Sequence, residues 1–165
     1  MENKTENKIE VYNKNFSKHL YNNELIGSIA IASVLQHLNK ATVSQCSLIL
    51  PLVSHRGTLN FLKQKNSIIR SMEEFITKKP SYFVNFNERY MSLLPITINS
   101  IILLKEIGLI NIENETLYYI HESNFNYTDE TLGKRAQEII KSASKLATLL
   151  NDDITNLYLQ LRMEL

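Results

Sequence analysis

This sequence predicts a mainly α fold, a helical bundle into which one segment of three helices and a β-hairpin is built. Three observations carry that prediction. Only 4 glycines and 3 prolines punctuate 165 residues, too few for the many tight turns of a β-sandwich or barrel. Apolar residues recur at helical spacing along most of the chain, and only two short stretches rich in β-branched and aromatic residues are bounded by turn formers. The composition, 44% hydrophobic and 21% charged, is close to the globular average, so a chain of this length can bury one core of ordinary size.

Residues 1–18 mix Lys, Glu and Asn around scattered apolar positions at Ile9, Val11, Tyr12 and Phe16, and they predict a flexible polar arm. Residues 19–165 are then a single helical domain. Its first helix starts at the Asn22-Asn23 caps and runs to about Leu38, with Leu25, Ile29, Ala32, Val34 and Leu35 following the 3.6-residue period. A second helix, capped by Ser44, carries Cys46 to Val53, and Pro51 should bend it or mark a restart. The run breaks at Ser54-His55-Arg56-Gly57-Thr58. Next come a helix from Ser67 to Lys79 stopped by Pro80, one from about Asn85 to Leu93, and one opened by Pro95 and ended at Ile107 by the Gly108 C-cap. Leu109-Ile110-Asn111-Ile112 and Thr116 to Ile120 read as two strands joined by Glu113-Asn114-Glu115. Three helices and a hairpin follow the order of a winged helix, so a winged-helix-like segment is expected at about 67–122; a helical bundle with an incidental hairpin has the same spacing. A long amphipathic helix should follow the Thr128 cap, and Asn151-Asp152-Asp153 should cap a last one carrying Ile154, Leu157, Tyr158 and Leu161.

No apolar run reaches the length needed to span a bilayer, and the first residues lack a secretory h-region. One cysteine builds neither a disulfide framework nor a thiolate metal cluster. A cytoplasmic protein with no membrane role is expected. Formal charge is +1, unevenly spread. Arg56, Lys63, Lys65, Arg70, Lys78 and Lys79 face only Glu73 and Glu74 in their stretch, while Glu106, Glu113, Glu115, Glu122, Asp129 and Glu130 share theirs with Lys105 alone. Such polarity suits docking between partners, or two solvated faces.

Catalysis needs a nucleophile, base or metal with an organised partner. His19, His37, His55 and His121 have no metal-ligand spacing, Cys46 lies in an apolar run, and no phosphate-binding glycine loop occurs. No enzymatic activity, metal or cofactor is therefore expected. A winged-helix regulator acting alone on DNA is the alternative, but its third helix offers Lys105 as its one cation, and the wing carries like charge to phosphate. A toxin or antitoxin of similar size is a third option. What remains for DNA is indirect contact, with DNA held by a partner, through Arg56, Lys63, Lys65, Arg70, Lys78 and Lys79. The last helix offers Leu157, Tyr158, Leu161 and Arg162 as an expected partner interface.

Several blocks resemble a known family: Asn23 to Ser28, Leu48-Ile49-Leu50-Pro51-Leu52-Val53-Ser54-His55-Arg56, Glu88 to Ile107 with Leu94-Pro95-Ile96-Thr97, Gly108-Leu109-Ile110, Lys134-Arg135-Ala136 and Asp153 to Leu157. The Leu-Pro-Leu-Val-x-His block is the most specific of them. The sequence resembles the middle-component family of bacterial three-component ABC systems, the small accessory subunit of Lamassu-type anti-phage and anti-plasmid defence. The resemblance implies a non-catalytic adaptor in an antiviral defence complex. Its partners would be an SMC-like ABC ATPase that senses foreign DNA and an effector, often a nuclease, held inactive until sensing.

Overall fold

The computed structural model describes residues 23–123 and 125–164. The arm expected over 1–18, the Asn22 cap and His19 lie outside the described residues. Helix α1 spans residues 23–38, and Ile29 to Leu35 are buried on every side of it. A helix apolar all round belongs at the centre of a core. Asn39, in the left-handed region at φ 65°, ends α1 and turns the chain into β1 (Lys40–Thr42).

Helix α2 (Val43–Ser47) is capped by Thr42 rather than Ser44. The Gln45 amide donates to Thr42 Oγ1 at 3.1 Å, and the Thr42 amide donates to Gln45 Oε1 at 2.9 Å, a reciprocal capping box. Helix α3 (Ile49–Ser54) restarts after Leu48, which puts Pro51 in its first turn, where amides have no intrahelical partner to lose. Helix α4 (Arg56–Leu62) occupies the stretch expected to be a break. Helix α5 (Met72–Lys78), capped by Ser71, is shorter than the expected Ser67–Lys79, and a 3-10 turn (Pro80–Phe83) follows it. Phe75 packs there on Phe61, Tyr82 and Phe83.

Helix α6 (Phe86–Glu106) is one continuous element of 21 residues with Pro95 inside, where two helices split at Pro95 were expected. The hydrogen bond that proline cannot make falls on the side where Met91 and Pro95 are exposed, so water can take its place. Gly108 at φ 72° closes α6, and the hairpin β2 (Ile110–Glu113) and β3 (Thr116–Tyr119) turns through Asn114 and Glu115, both at positive φ, as a two-residue hairpin loop requires. The sheet order is β1-β3-β2, all antiparallel, with Ala41 opposite Leu117 and Ile112 opposite Leu117. The segment 67–122 is therefore not a self-contained three-helix unit. Its hairpin completes its sheet with β1 from outside that span, and only α5 and α6 precede it.

Helix α7 (Lys134–Leu150) begins six residues later than the Thr128 signal, because Asp129 caps a separate 3-10 turn (Glu130–Leu132) and Gly133 at φ 84° separates the two. Helix α8 (Ile154–Gln160) is capped by Asp153, as its sequence predicts. The fold is mainly helical with one small sheet. Helices α3 and α4 pack on α6 and α7, and α8 closes the end beside α5. The α1–α6 crossing is close because Gly27 faces Ser100: the Ser100 hydroxyl donates to the Glu24 carbonyl at 3.0 Å, and the Asn99 amide donates to the Glu24 carboxylate at 2.7 Å.

Candidate partner-binding surfaces

The groups with reactive side chains have structural environments. Cys46 is fully buried, and burial pushes its thiol up to about 12, so it stays protonated and inert. Among the described residues no group of three His, Cys, Asp or Glu could hold a metal ion. His121 Nε2 meets the Asn39 side chain at 2.9 Å on the surface. His55 is the N-cap of α4: its Nδ1 accepts from the Thr58 amide at 3.1 Å and lies 3.0 Å from the Thr58 hydroxyl. Its ring packs on Tyr82 with centroids 5.2 Å apart. Burial first, then the charge of Arg89, hold this imidazole below its ordinary value. The His55-Arg56 block thus has a definite local role, which is to turn the chain from α3 into α4.

The six basic residues expected to form one face are divided. Arg56 and Lys63 line a groove between α4 and α7, and there Lys134 and Arg135 join them. Glu138 lies among these cations, 2.8 Å from Lys63, and its carboxyl is held down by the Lys63 hydrogen bond and by the charges of Lys63, Lys134 and Arg56. Lys78 instead pairs with Glu74 at 2.6 Å, Lys79 lies over the Phe61 ring at 5.5 Å, and Lys65 and Arg70 are exposed outside the groove. Lys134 and Arg135 escaped the charge count because they stand some seventy residues further along the chain.

The groove runs into an apolar cleft of about 90 Å³ that shares Val53, Ser54 and Arg135 with it and is walled by Ile26, Leu50, Leu93 and Ile96. A second apolar cleft, with no lining residue in common with the first, lies between α1 and the end of α6, where Ile29, Ala32 and Leu103 meet Ile107. Beside it α6 carries an exposed stripe. Met91, Ile98 and Ile102, at spacings of seven and four, are 57%, 47% and 52% exposed, and Leu25 of α1 is also exposed. The side of α6 that is buried carries Phe86, Tyr90, Thr97, Ser100, Ile101 and Leu104.

The expected interface on α8 divides in the same way. Leu157 and Leu161 are inside the chain's own core, at 0% and 5% exposure, so they are not offered outward. Tyr158 is half-buried, its hydroxyl 3.2 Å from that of Tyr90, and Arg162 is exposed. The apolar residue that α8 does present is Leu159, 72% exposed.

No helix among the described residues is long and apolar enough to cross a membrane. The described residues form a small, mainly helical protein that leaves apolar and charged surface open. A family model, the ABC-three component (ABC-3C) system Middle Component 3, matches residues 13–164. The chain belongs to that family. No curated protein and no solved structure matches it.

Proposed function

We propose that this chain is the non-catalytic adaptor of a Lamassu-type antiviral defence complex in the bacterial cytoplasm, bridging an SMC-like ABC ATPase and an effector nuclease. DNA reaches it only through that complex, and residues 19–165 act as a single domain behind the polar arm 1–18. The observation that carries the reading is the exposed stripe Met91, Ile98 and Ile102 on α6, in a chain whose family is that of a middle component. Contiguous apolar surface that a monomer leaves open is characteristic of protein-binding sites. In the assembled complex α8 contributes Tyr158, Leu159 and Arg162 at the surface, with Leu157 and Leu161 anchoring it from inside.

Co-expression with the ATPase and the effector encoded beside it, followed by affinity purification, tests this. Both partners are expected to co-purify, and the pair Ile98→Asp and Ile102→Asp is expected to release at least one of them while leaving the circular-dichroism melt unchanged. A chain that purifies alone in the presence of both partners refutes the adaptor reading; an intact complex from the double variant refutes the role of the stripe.

A further inference from the structure

The composite groove between α4 and α7 carries more information than either half. Four cations, Arg56, Lys63, Lys134 and Arg135, stand around the single carboxylate of Glu138, and among the described residues only Lys63 of the four is in direct ion-pair contact with an acid. Arg56, Lys134 and Arg135 are exposed. At Arg135 and Val53 the cationic groove opens into the aliphatic cleft of Ile26, Leu50, Leu93 and Ile96. We propose that this surface binds an acidic protein segment with one apolar anchor residue, belonging to another component of the same system; the proposal rests on the adaptor reading and names its docking site.

Charge complementarity selects an acidic ligand, and the cleft decides which kind. A duplex backbone presents phosphates at regular intervals and nothing apolar to fill an aliphatic slot, and among the described residues lining the groove and the cleft it opens into none is aromatic, so stacking of a flipped or single-stranded base has no platform. A peptide supplies both parts: carboxylates for the arginines and a Leu-, Ile- or Met-like side chain for the cleft, the pattern of an anchor in a desolvated pocket with charged contacts around it. Glu138 restrains the field by holding Lys63 across the groove. The chain's own arm is a poor occupant, because Lys4, Lys8, Lys14 and Lys18 offset Glu2, Glu6 and Glu10.

The test uses the full chain and synthetic peptides tiling the ATPase and effector sequences, read by fluorescence anisotropy. At least one acidic tile is expected to bind. Its affinity should fall by about tenfold or more when Arg56→Glu and Arg135→Glu are combined, and on raising salt, since charged contacts govern encounter and specificity; replacing its apolar anchor by Ser should weaken it independently. Arg56 and Arg135 are exposed, so the double variant should melt like the parent, and Arg56→Lys with Arg135→Lys should keep most of the binding. The proposal is overturned if no tile responds to the charge reversal, if duplex DNA of equal charge binds as tightly with the same response, or if the variant merely abolishes self-association seen by sedimentation. An intact co-purified complex from the reversal variant sinks this docking site alone, whereas failure of the parent chain to co-purify sinks the adaptor reading itself.

Discussion

His55→Ala removes the side-chain acceptor that caps the start of α4. The Thr58 amide, which donates to Nδ1 at 3.1 Å, and the packing of the ring on Tyr82 at 5.2 Å are both lost. Thr58 is buried, so its amide has little water to turn to, and the cost belongs at the upper end of the N-cap range, about 1–2 kcal/mol. In a chain of this size that lowers the melting temperature by about 2–4 °C per kcal/mol. The acceptor must be a neutral ring with its proton on Nε2, which gives the contribution a definite pH dependence. Burial and Arg89 depress the folded-state value below the unfolded one, so the unfolded chain binds the proton more readily. Stability is fully present above the ordinary histidine value near 6.5 and is lost as pH falls through the folded-state value. His55→Asn keeps a strong cap without a titrating ring. Urea denaturation at pH 7.5, 6.5 and 5.5 should therefore show His55→Ala less stable than the parent at pH 7.5, with the gap closing on acidification, and a shallower pH slope for His55→Asn. Parallel slopes for parent and His55→Asn, or no loss in His55→Ala at pH 7.5, would refute the cap as the source.

A Cβ on Gly27 would lie 2.3 Å from Ser100 Oγ, so Gly27→Ala should cost about 1–3 kcal/mol by overpacking, and Ser100→Ala in the same chain should restore part of it in thermal melts. Truncation after Asp152 removes Leu157 and Leu161 from the core; at about 1.5–3 kcal/mol per buried side chain, an upper bound against a total of about 5–15, the cooperative melt should be lost or moved sharply down, and an unchanged melt would show that α8 does not close the core. The isolated chain should bind duplex DNA weakly and without sequence preference, since α6 beyond Pro95 carries Lys105 as its one cation and Glu106, Glu113 and Glu115 surround the turn; sequence-selective nanomolar binding in physiological salt would overturn this. Assays for ATP hydrolysis and nuclease activity on the purified chain should show no turnover, and turnover abolished by a single substitution such as His55→Ala would contradict a non-catalytic role.

Elements whose boundaries depend on local chemistry were legible in the sequence. The Gly108 stop, the Asn114-Glu115 hairpin and the Asp153 cap each follow from residues within a few positions of the feature they set. Misreadings arose where a distant partner decides. Lys40–Thr42 is too short to show alternation, and it becomes a strand only because Tyr118, Leu117 and Thr116 lie opposite it. Pro95 reads as a helix start by local rules, yet α2 and α3 pack along α6 and hold it continuous through the proline. Histidine is not among the strong capping residues, so α4 was hidden behind a cap that sequence rules do not recognise.

The proposed binding surfaces are harder to read from sequence than the fold, and the reason is physical. On α6, the exposed Ile98 and Ile102 are chemically the same as the buried Ile101, three and one positions away, and the period alone does not say which side the neighbours will cover. Packing decides it: α1 crosses at Gly27 and Ser100, Ser100, Ile101 and Leu104 turn inward, and Ile98 and Ile102 are left facing out. The basic groove has the same origin, because Arg56 and Lys63 acquire Lys134 and Arg135 only when α4 packs on α7. A catalytic site announces itself by residue types that a core would not tolerate. A surface meant to bind protein is built from the residues of a core, and it becomes visible only when the chain's own packing has claimed the rest.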